Sequence, residues 1–204
     1  MLGITGAGKT TTFKCLCQEE IPDVGQLMMA NYDVLKEGGF SEARSMVGYC
    51  PQFDAIYEQL SVKEHLEFYG TIKGVRADYL DELVDRQIKD MDLNNYRDIH
   101  AGKLSGGNKR KLSCAIALVG NPPIVLLDEP STGVDPQAKR FMWTVISNIS
   151  TLRKQSTVVL TTHSMEEAEA LCPKMGIMVD GQFQCFGSAQ HIKDKYADGF
   201  DIDL

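Results

Sequence analysis

The octet Gly3-Ile4-Thr5-Gly6-Ala7-Gly8-Lys9-Thr10 constrains this chain more than any other stretch. Its spacing fits G-x-x-x-x-G-K-[ST], a turn from a strand into a helix whose backbone N–H groups converge on one anion. Glycine suits such a turn because the backbone must come close to the anion and adopt positive φ. Lys9 then brings charge to the β- and γ-phosphates of a nucleotide, and the Thr10 hydroxyl suits Mg²⁺. A helix continuing through Thr11 to Cys17 would point its positive end at the same group. Gly3, Thr5, Gly6, Ala7, Gly8, Lys9, Thr10 and Thr11 form the candidate phosphate-binding set.

The surrounding pattern predicts a layered α/β fold. Short β-branched runs alternate with helical periodicity, which calls for a mainly parallel sheet. Ile124–Leu127 and Thr157–Thr161 read as buried central strands. Between Ile56 and Val119 the periodicity becomes helical. Ser61 and Glu64 form a capping-box signature, Val62, Leu66 and Tyr69 recur on one face, and Leu80, Val84, Ile88 and Met91 mark a second helix. The expected organisation is a single domain, 1–204, with an α/β core in 1–55 and 120–204 and a helical subdomain in 56–119. Lys174–Val179 and Gln182–Phe186 flank Asp180-Gly181, which predicts a tight hairpin.

Charge and cysteine usage exclude several function classes. A net charge of −7 gives no footprint for a nucleic-acid backbone, so no nucleic-acid partner is expected. The basic run Lys109–Lys111 reads as a solvated helix face. Six cysteines lack metal-ligand spacing, which predicts reduced thiols and no zinc site. No apolar run approaches the ~20 residues of a transmembrane helix.

Four further features carry chemistry. The apolar run Ile124–Leu127 ends in Asp128-Glu129, which puts one carboxylate where it can hold a metal and a second where it can orient water. Ser105-Gly106-Gly107 precedes a helical run (Leu112, Ala115, Ile116, Val119) and makes a second anion cradle, suited to ATP held by another, similar domain. Gln52 follows a strand-like run and offers an amide to metal or water, and His163 follows Thr157–Thr161 and can donate to a γ-phosphate oxygen. Asp135, ahead of Pro136, lies where a turn would meet the partner domain. Each also has a plainer account: a solvated strand end, a loop amide, a histidine beside a cap, an Asp-Pro turn.

In this order, Gly3 to Thr10, Gln52, Leu104 to Asn108, Ile124 to Glu129, Asp135 and His163 resemble the ATP-binding cassette of ABC transporters, from residue 2 to about 190. The wording of Tyr49–Ala55, Ser105–Ser113 and His163–Glu167 is similar to the A subfamily, two-cassette transporters that chiefly move lipids, and looks most like the second cassette. Asn108 stands where many cassettes carry Gln, and the A subfamily tends to Asn.

The resemblance implies a P-loop NTPase (RecA-like) α/β core with a mainly parallel sheet and an inserted helical subdomain, with ATP and Mg²⁺ as cofactors. Thr10, Gln52 and Asp128 would surround the metal. Glu129, His163 and Gln52 would be catalytic, and Ser105, Gly106, Gly107 and Asp135 would close on nucleotide shared with a second cassette. Partners would be that cassette and transmembrane domains, at the cytoplasmic face of a membrane. The family also carries an antiparallel β-subdomain before the loop, including an aromatic residue that stacks on adenine. Only Met1 and Leu2 precede Gly3, so this subdomain is expected to be N-terminally truncated, its leading strand almost absent, and the chain alone to bind ATP weakly and turn it over slowly or not at all. A soluble cassette acting on ribosomes or DNA, and a truncated cassette without turnover, stay open as alternatives. The cargo and its direction are not written in these residues.

Overall fold

In the larger of two units, Thr10 to Thr161, the chain leaves α1 (Lys9–Leu16), makes a ribbon of β1 (Met28–Met29) and β2 (Tyr32–Asp33), and passes α2 (Gly39–Ala43) into β3 (Val47–Cys50). Helices α3 (Val62–Ile72), α4 (Ala77–Asp90) and α5 (Gly106–Leu118) then lead to β4 (Ile124–Asp128), and α6 (Pro136–Ser147) leads to β5 (Thr157–Thr161). The computed structural model describes residues 1–152 and 156–196.

Strands β3, β4 and β5 pair in parallel in that order, with Cys50 opposite Leu127 and Asp128 opposite Thr161. Parallel pairing needs a crossover after each strand, and the helices supply it. All three C-terminal strand ends therefore lie along one edge of the sheet, where ligands of open α/β sheets bind. Val125, Leu126 and Leu127 are buried, as a central strand requires. The expectation of two central strands holds for β4 only. β5 is at the end of this three-stranded sheet; its Leu160 and Thr161 are buried, Val158 and Val159 are half-buried, and Thr157 is exposed.

The helical stretch follows from local chemistry. Ser61 caps α3 through a complete capping box: Glu64 N donates to Ser61 Oγ at 3.2 Å, and Ser61 N donates to Glu64 Oε2 at 2.7 Å. Val62, Leu66, Val84, Ile88 and Met91 are buried where the periodicity places them. His65, 0% exposed, fastens this stretch to the loop before it: Tyr57 N donates to Nε2 at 2.9 Å, while Nδ1 lies 2.8 Å from Ser61 O. The ring is therefore a neutral tautomer protonated on Nδ1.

Burial holds the His65 pKa below the ordinary 6.5. Below that pH the unfolded chain takes up a proton that the folded one refuses, so stability falls as pH drops from about 6.5 by up to ~1.4 kcal/mol per unit. Urea titrations at pH 7.5 and 5.5 are expected to show this loss, smaller in His65→Asn. An equal loss in the two proteins would assign it to other groups.

The smaller unit joins Met1–Lys9 to the chain from Thr162 onward and contains α7 (Met165–Leu171), β6 (Met175–Val179), β7 (Gln182–Gly187) and α8 (Ala189–Tyr196). β6 and β7 form the expected hairpin, with Asp180 at φ 48° and Gly181 at φ 76°. Ahead of the phosphate loop, Leu2 is held from two sides, bridging in parallel to Thr162 and to Ile177. Its N–H donates to Gly176 O at 2.9 Å and its carbonyl accepts from Met178 N at 2.8 Å. Leu2, Ala168, Met175 and Ile192 make the core of this unit.

Candidate functional site

In the smaller unit the Gly3–Gly8 segment turns through two left-handed positions, Gly6 at φ 86° and Gly8 at φ 97°, and runs into α1. Gly3 N donates to Thr162 O at 3.2 Å, and Ala7 O accepts from Gly181 N at 3.1 Å, so both ends of the turn are pinned. A Cβ on Gly3 would lie 2.5 Å from Met178 O, which explains the glycine there. Lys9 is 5% exposed, and its Nζ donates to Gly3 O at 2.8 Å and Ile4 O at 3.1 Å, bracing the turn from within. Thr10 and Thr11 follow in the first turn of α1. His163 comes directly after Thr162, so the backbone bond from Gly3 sets it beside the start of the loop, and its side chain is exposed.

In the larger unit the strand ends gather the other candidates. Asp128 is 0% exposed, and the Thr161 hydroxyl donates to its Oδ1. Its Oδ2 has no hydrogen-bond partner. A buried carboxylate oxygen left in that condition is costly unless a cation meets it, so the donor set fits Mg²⁺. Among the described residues no three His, Cys, Asp or Glu side chains converge as a metal cage; a magnesium brought in with phosphates and waters needs only one or two carboxylates. Burial, with the Asp128 charge adding to it, pushes the Tyr49 phenol above its usual range; burial, Glu19 and Asp128 push the Cys17 thiol up to about 12.

Glu129 departs from the strand with φ 46°, an uncommon and costly backbone for a residue other than glycine. Its N–H donates to Thr161 Oγ1 at 2.9 Å and Thr161 O at 3.2 Å, and its Oε2 accepts from the Thr132 hydroxyl at 3.0 Å. The turn thus fixes the carboxylate just past the strand end, 7% exposed.

Gln52 is exposed on the loop after β3. Ser105 is the N-cap of α5, its Oγ accepting from Asn108 N at 3.4 Å, which leaves Gly106 and Gly107 in the first turn. Asp135 caps α6, accepting from the N–H groups of Gln137 and Ala138 at 3.0 Å each. A Cβ on Gly107 would lie 3.4 Å from Asp135 Oδ2, so the Ser-Gly-Gly turn and Asp135 are neighbours.

The reading of Lys109–Lys111 as a solvated face needs correction. Arg110 is 3% exposed and Lys111 9%. Lys111 meets Asp92 at 3.3 Å and the Phe141 ring at 4.2 Å, while Arg110 reaches the loops after β3 and β4. Sequence reasoning missed Arg110, Thr161 and Thr132. For Arg110 a signal existed: with Cys114 and Ala117 it forms a buried stripe at helical spacing, on which a charged residue must have partners.

The family model described as ABC transporter matches residues 1–132. Across all 204 residues the chain is 50% identical to the human retinal-specific phospholipid-transporting ATPase ABCA4, of which it covers 9%. It is 45% identical over 202 residues, 99% of its length, to human ATP-binding cassette sub-family A member 2, covering 8% of that protein. To the Dictyostelium discoideum ABC transporter A family member 2 it is 46% identical along its whole length, covering 12% of that relative. The chain thus spans about a tenth of the length of these relatives. Among solved structures, the ATP binding subunit of an ABC transporter superposes with a TM-score of 0.84 at 25% identity, covering 96% of this chain and 80% of that one. A dimeric ATP-binding cassette in a post-hydrolysis state bound to ADP and Pi gives 0.82 at 21% identity, covering 92% and 83%, and supports the fold alone.

Proposed function

Since this chain belongs to the ABC transporter family, we propose that it binds magnesium-ATP and hydrolyses it to drive transport, with lipid as the cargo of the assembly it serves. The observation that carries the proposal is the carboxylate pair closing β4: Asp128 sealed from water with one oxygen unpaired, and Glu129 turned by a left-handed backbone. A pair built only as a solvated strand end would need neither.

The amides of Gly6 to Thr10 would cradle the β- and γ-phosphates, with Lys9 turning from the Gly3 and Ile4 carbonyls to neutralise them. Thr5, Ala7 and Thr11 line the same turn. Thr10, Gln52 and Asp128 would hold Mg²⁺, which offsets charge on the phosphates. Glu129 would take the proton of a water whose oxygen attacks the γ-phosphorus. The bond from that phosphorus to the bridging oxygen then breaks, giving ADP and phosphate. His163 would donate to a γ-oxygen and keep it oriented.

Ser105, Gly106, Gly107 and Asp135 would complete the nucleotide site of a second cassette. The exposure of Ser105, Gly106 and Asp135, and the closeness of half-buried Gly107 to Asp135, support that role. Tyr57 and Phe68, 53% and 43% exposed, meet edge to face at 6.0 Å, and Phe53, 82% exposed, is next to Gln52 in the chain; these exposed aromatic residues would suit transmembrane domains. A membrane-bound setting at the cytoplasmic face follows from such partners. Among the described residues no helix is long and apolar enough to cross a membrane. The name of the human ABCA4 relative, a phospholipid-transporting ATPase, supports lipid as the cargo.

In a version extended upstream of Met1, Glu129→Gln is expected to bind ATP within a few-fold of the unsubstituted protein and to release phosphate some 10²–10⁴-fold more slowly. Equal release rates for the two proteins would take Glu129 out of the reaction.

A further inference from the structure

Arg110 sits on the buried side of α5, its side chain 4% exposed, and every nitrogen of its guanidinium has a partner. Nε donates to Pro130 O at 3.0 Å. Nη1 donates to Pro51 O at 2.6 Å, Gln52 O at 3.2 Å and Asp54 Oδ1 at 3.2 Å. Nη2 donates to Asp128 O at 2.7 Å and Glu129 O at 3.1 Å. Five of these six acceptors are main-chain carbonyls. What the guanidinium fixes is therefore the path of two loops, one after β3 and one after β4. Asp54 is the one carboxylate among these acceptors and is 24% exposed, so charge neutralisation alone does not explain why the cation is buried.

From these contacts we propose that Arg110 is a positioning residue that fastens the Gln52 loop to the Glu129 loop, so that ordering of one is transmitted to the other. The same helix begins with Ser105-Gly106-Gly107, so the link also reaches the turn that faces a second nucleotide. The planar fork spreads its donors over three nitrogens, which lets one side chain meet six acceptors on two loops. A lysine carries the charge but presents its donors from a single atom. The catalytic half of the inference rests on the reading of Gln52 and Glu129 given above, and the mechanical half does not.

Hydrogen–deuterium exchange on the full chain, first without nucleotide, tests the tether. In Arg110→Lys the amides of Gln52, Phe53 and Asp54 and those of Glu129, Ser131 and Thr132 are expected to exchange about tenfold faster or more, while those of β4 and β5 keep their protection. Asp54→Ala, which removes one arm, should loosen residues 52–54 alone and by less. With ATP and Mg²⁺ added, wild type should gain protection in both loops together. Arg110→Lys should gain it in one without the other, and its kcat should fall about tenfold at unchanged KM.

Wild-type exchange at either loop in Arg110→Lys would overturn the proposal, as would acceleration spread equally through β4 and β5. Should Arg110→Lys prove insoluble, unchanged exchange at 52–54 in Asp54→Ala would overturn it, and faster exchange confined to those residues would support it. If ATP protects neither loop in wild type while Arg110→Lys loosens both, the tether stands and the nucleotide reading falls.

Discussion

Gly48→Ala is expected to leave little folded protein. An ideal Cβ at Gly48 would lie 1.9 Å from the Ala117 carbonyl oxygen and 2.9 Å from Pro122 Cγ. The first of these atoms is main chain near the end of α5, so no rotamer change relieves the clash, and either β3 or α5 must move. Ordinary overpacking costs about 1–3 kcal/mol. Here the helix and its strand would have to part, which puts the cost at about 4 kcal/mol or more, in the range that unfolds marginally stable domains. Circular-dichroism melts check this against Gly106→Ala, whose added methyl would meet nothing within 4 Å and which should fold normally. A Gly48→Ala melting temperature within about 3 °C of wild type would show that the two elements can slide apart cheaply.

In a version extended upstream of Met1, Lys9→Ala is expected to lower ATP affinity by about 100-fold, measured by titration calorimetry. Charge-assisted hydrogen bonds are worth about 1.5–3 kcal/mol, and ~2.7 kcal/mol corresponds to that factor. The lysine has a second task, since it bonds the carbonyls of Gly3 and Ile4. Its loss should therefore also raise amide exchange through the turn without nucleotide, and Lys9→Arg, with a wider head, should recover neither property. Affinity within threefold of wild type in Lys9→Ala would mean that the turn grips phosphate by its amides alone.

The features legible in the sequence are those whose chemistry is local. The phosphate loop needs glycine at two left-handed positions, Ser61 and Glu64 lie a single turn apart, and Asp180-Gly181 bends the chain between adjacent strands. Each is settled by residues within a few positions of one another. Arg110 is the opposite case. Its surroundings are carbonyls from residues 51–52 and 128–130, and nothing about a carbonyl distinguishes one residue type from another. A three-residue basic run thus read as solvated when two of its members are buried. β5 shows a related limit: a β-branched run says that a strand exists and leaves open which strands flank it. Likewise, a single bridged residue gives no periodicity, although Leu2 pairs on both sides.

That pairing has a consequence for synthesis. Leu2 takes its hydrogen bonds from Gly176 and Met178, and Gly3 takes its own from Thr162. At ribosomal speeds of about 5–20 residues per second, those partners emerge roughly ten to thirty seconds after the loop itself. Throughout that interval the nascent loop keeps its local bonds, such as those of Lys9 to Gly3 and Ile4, and lacks the ones that the late segment brings. Truncations that stop before residue 176 should therefore yield chains whose helices can form but whose first ten residues stay open to proteases, a pattern that limited digestion of stalled nascent chains would reveal.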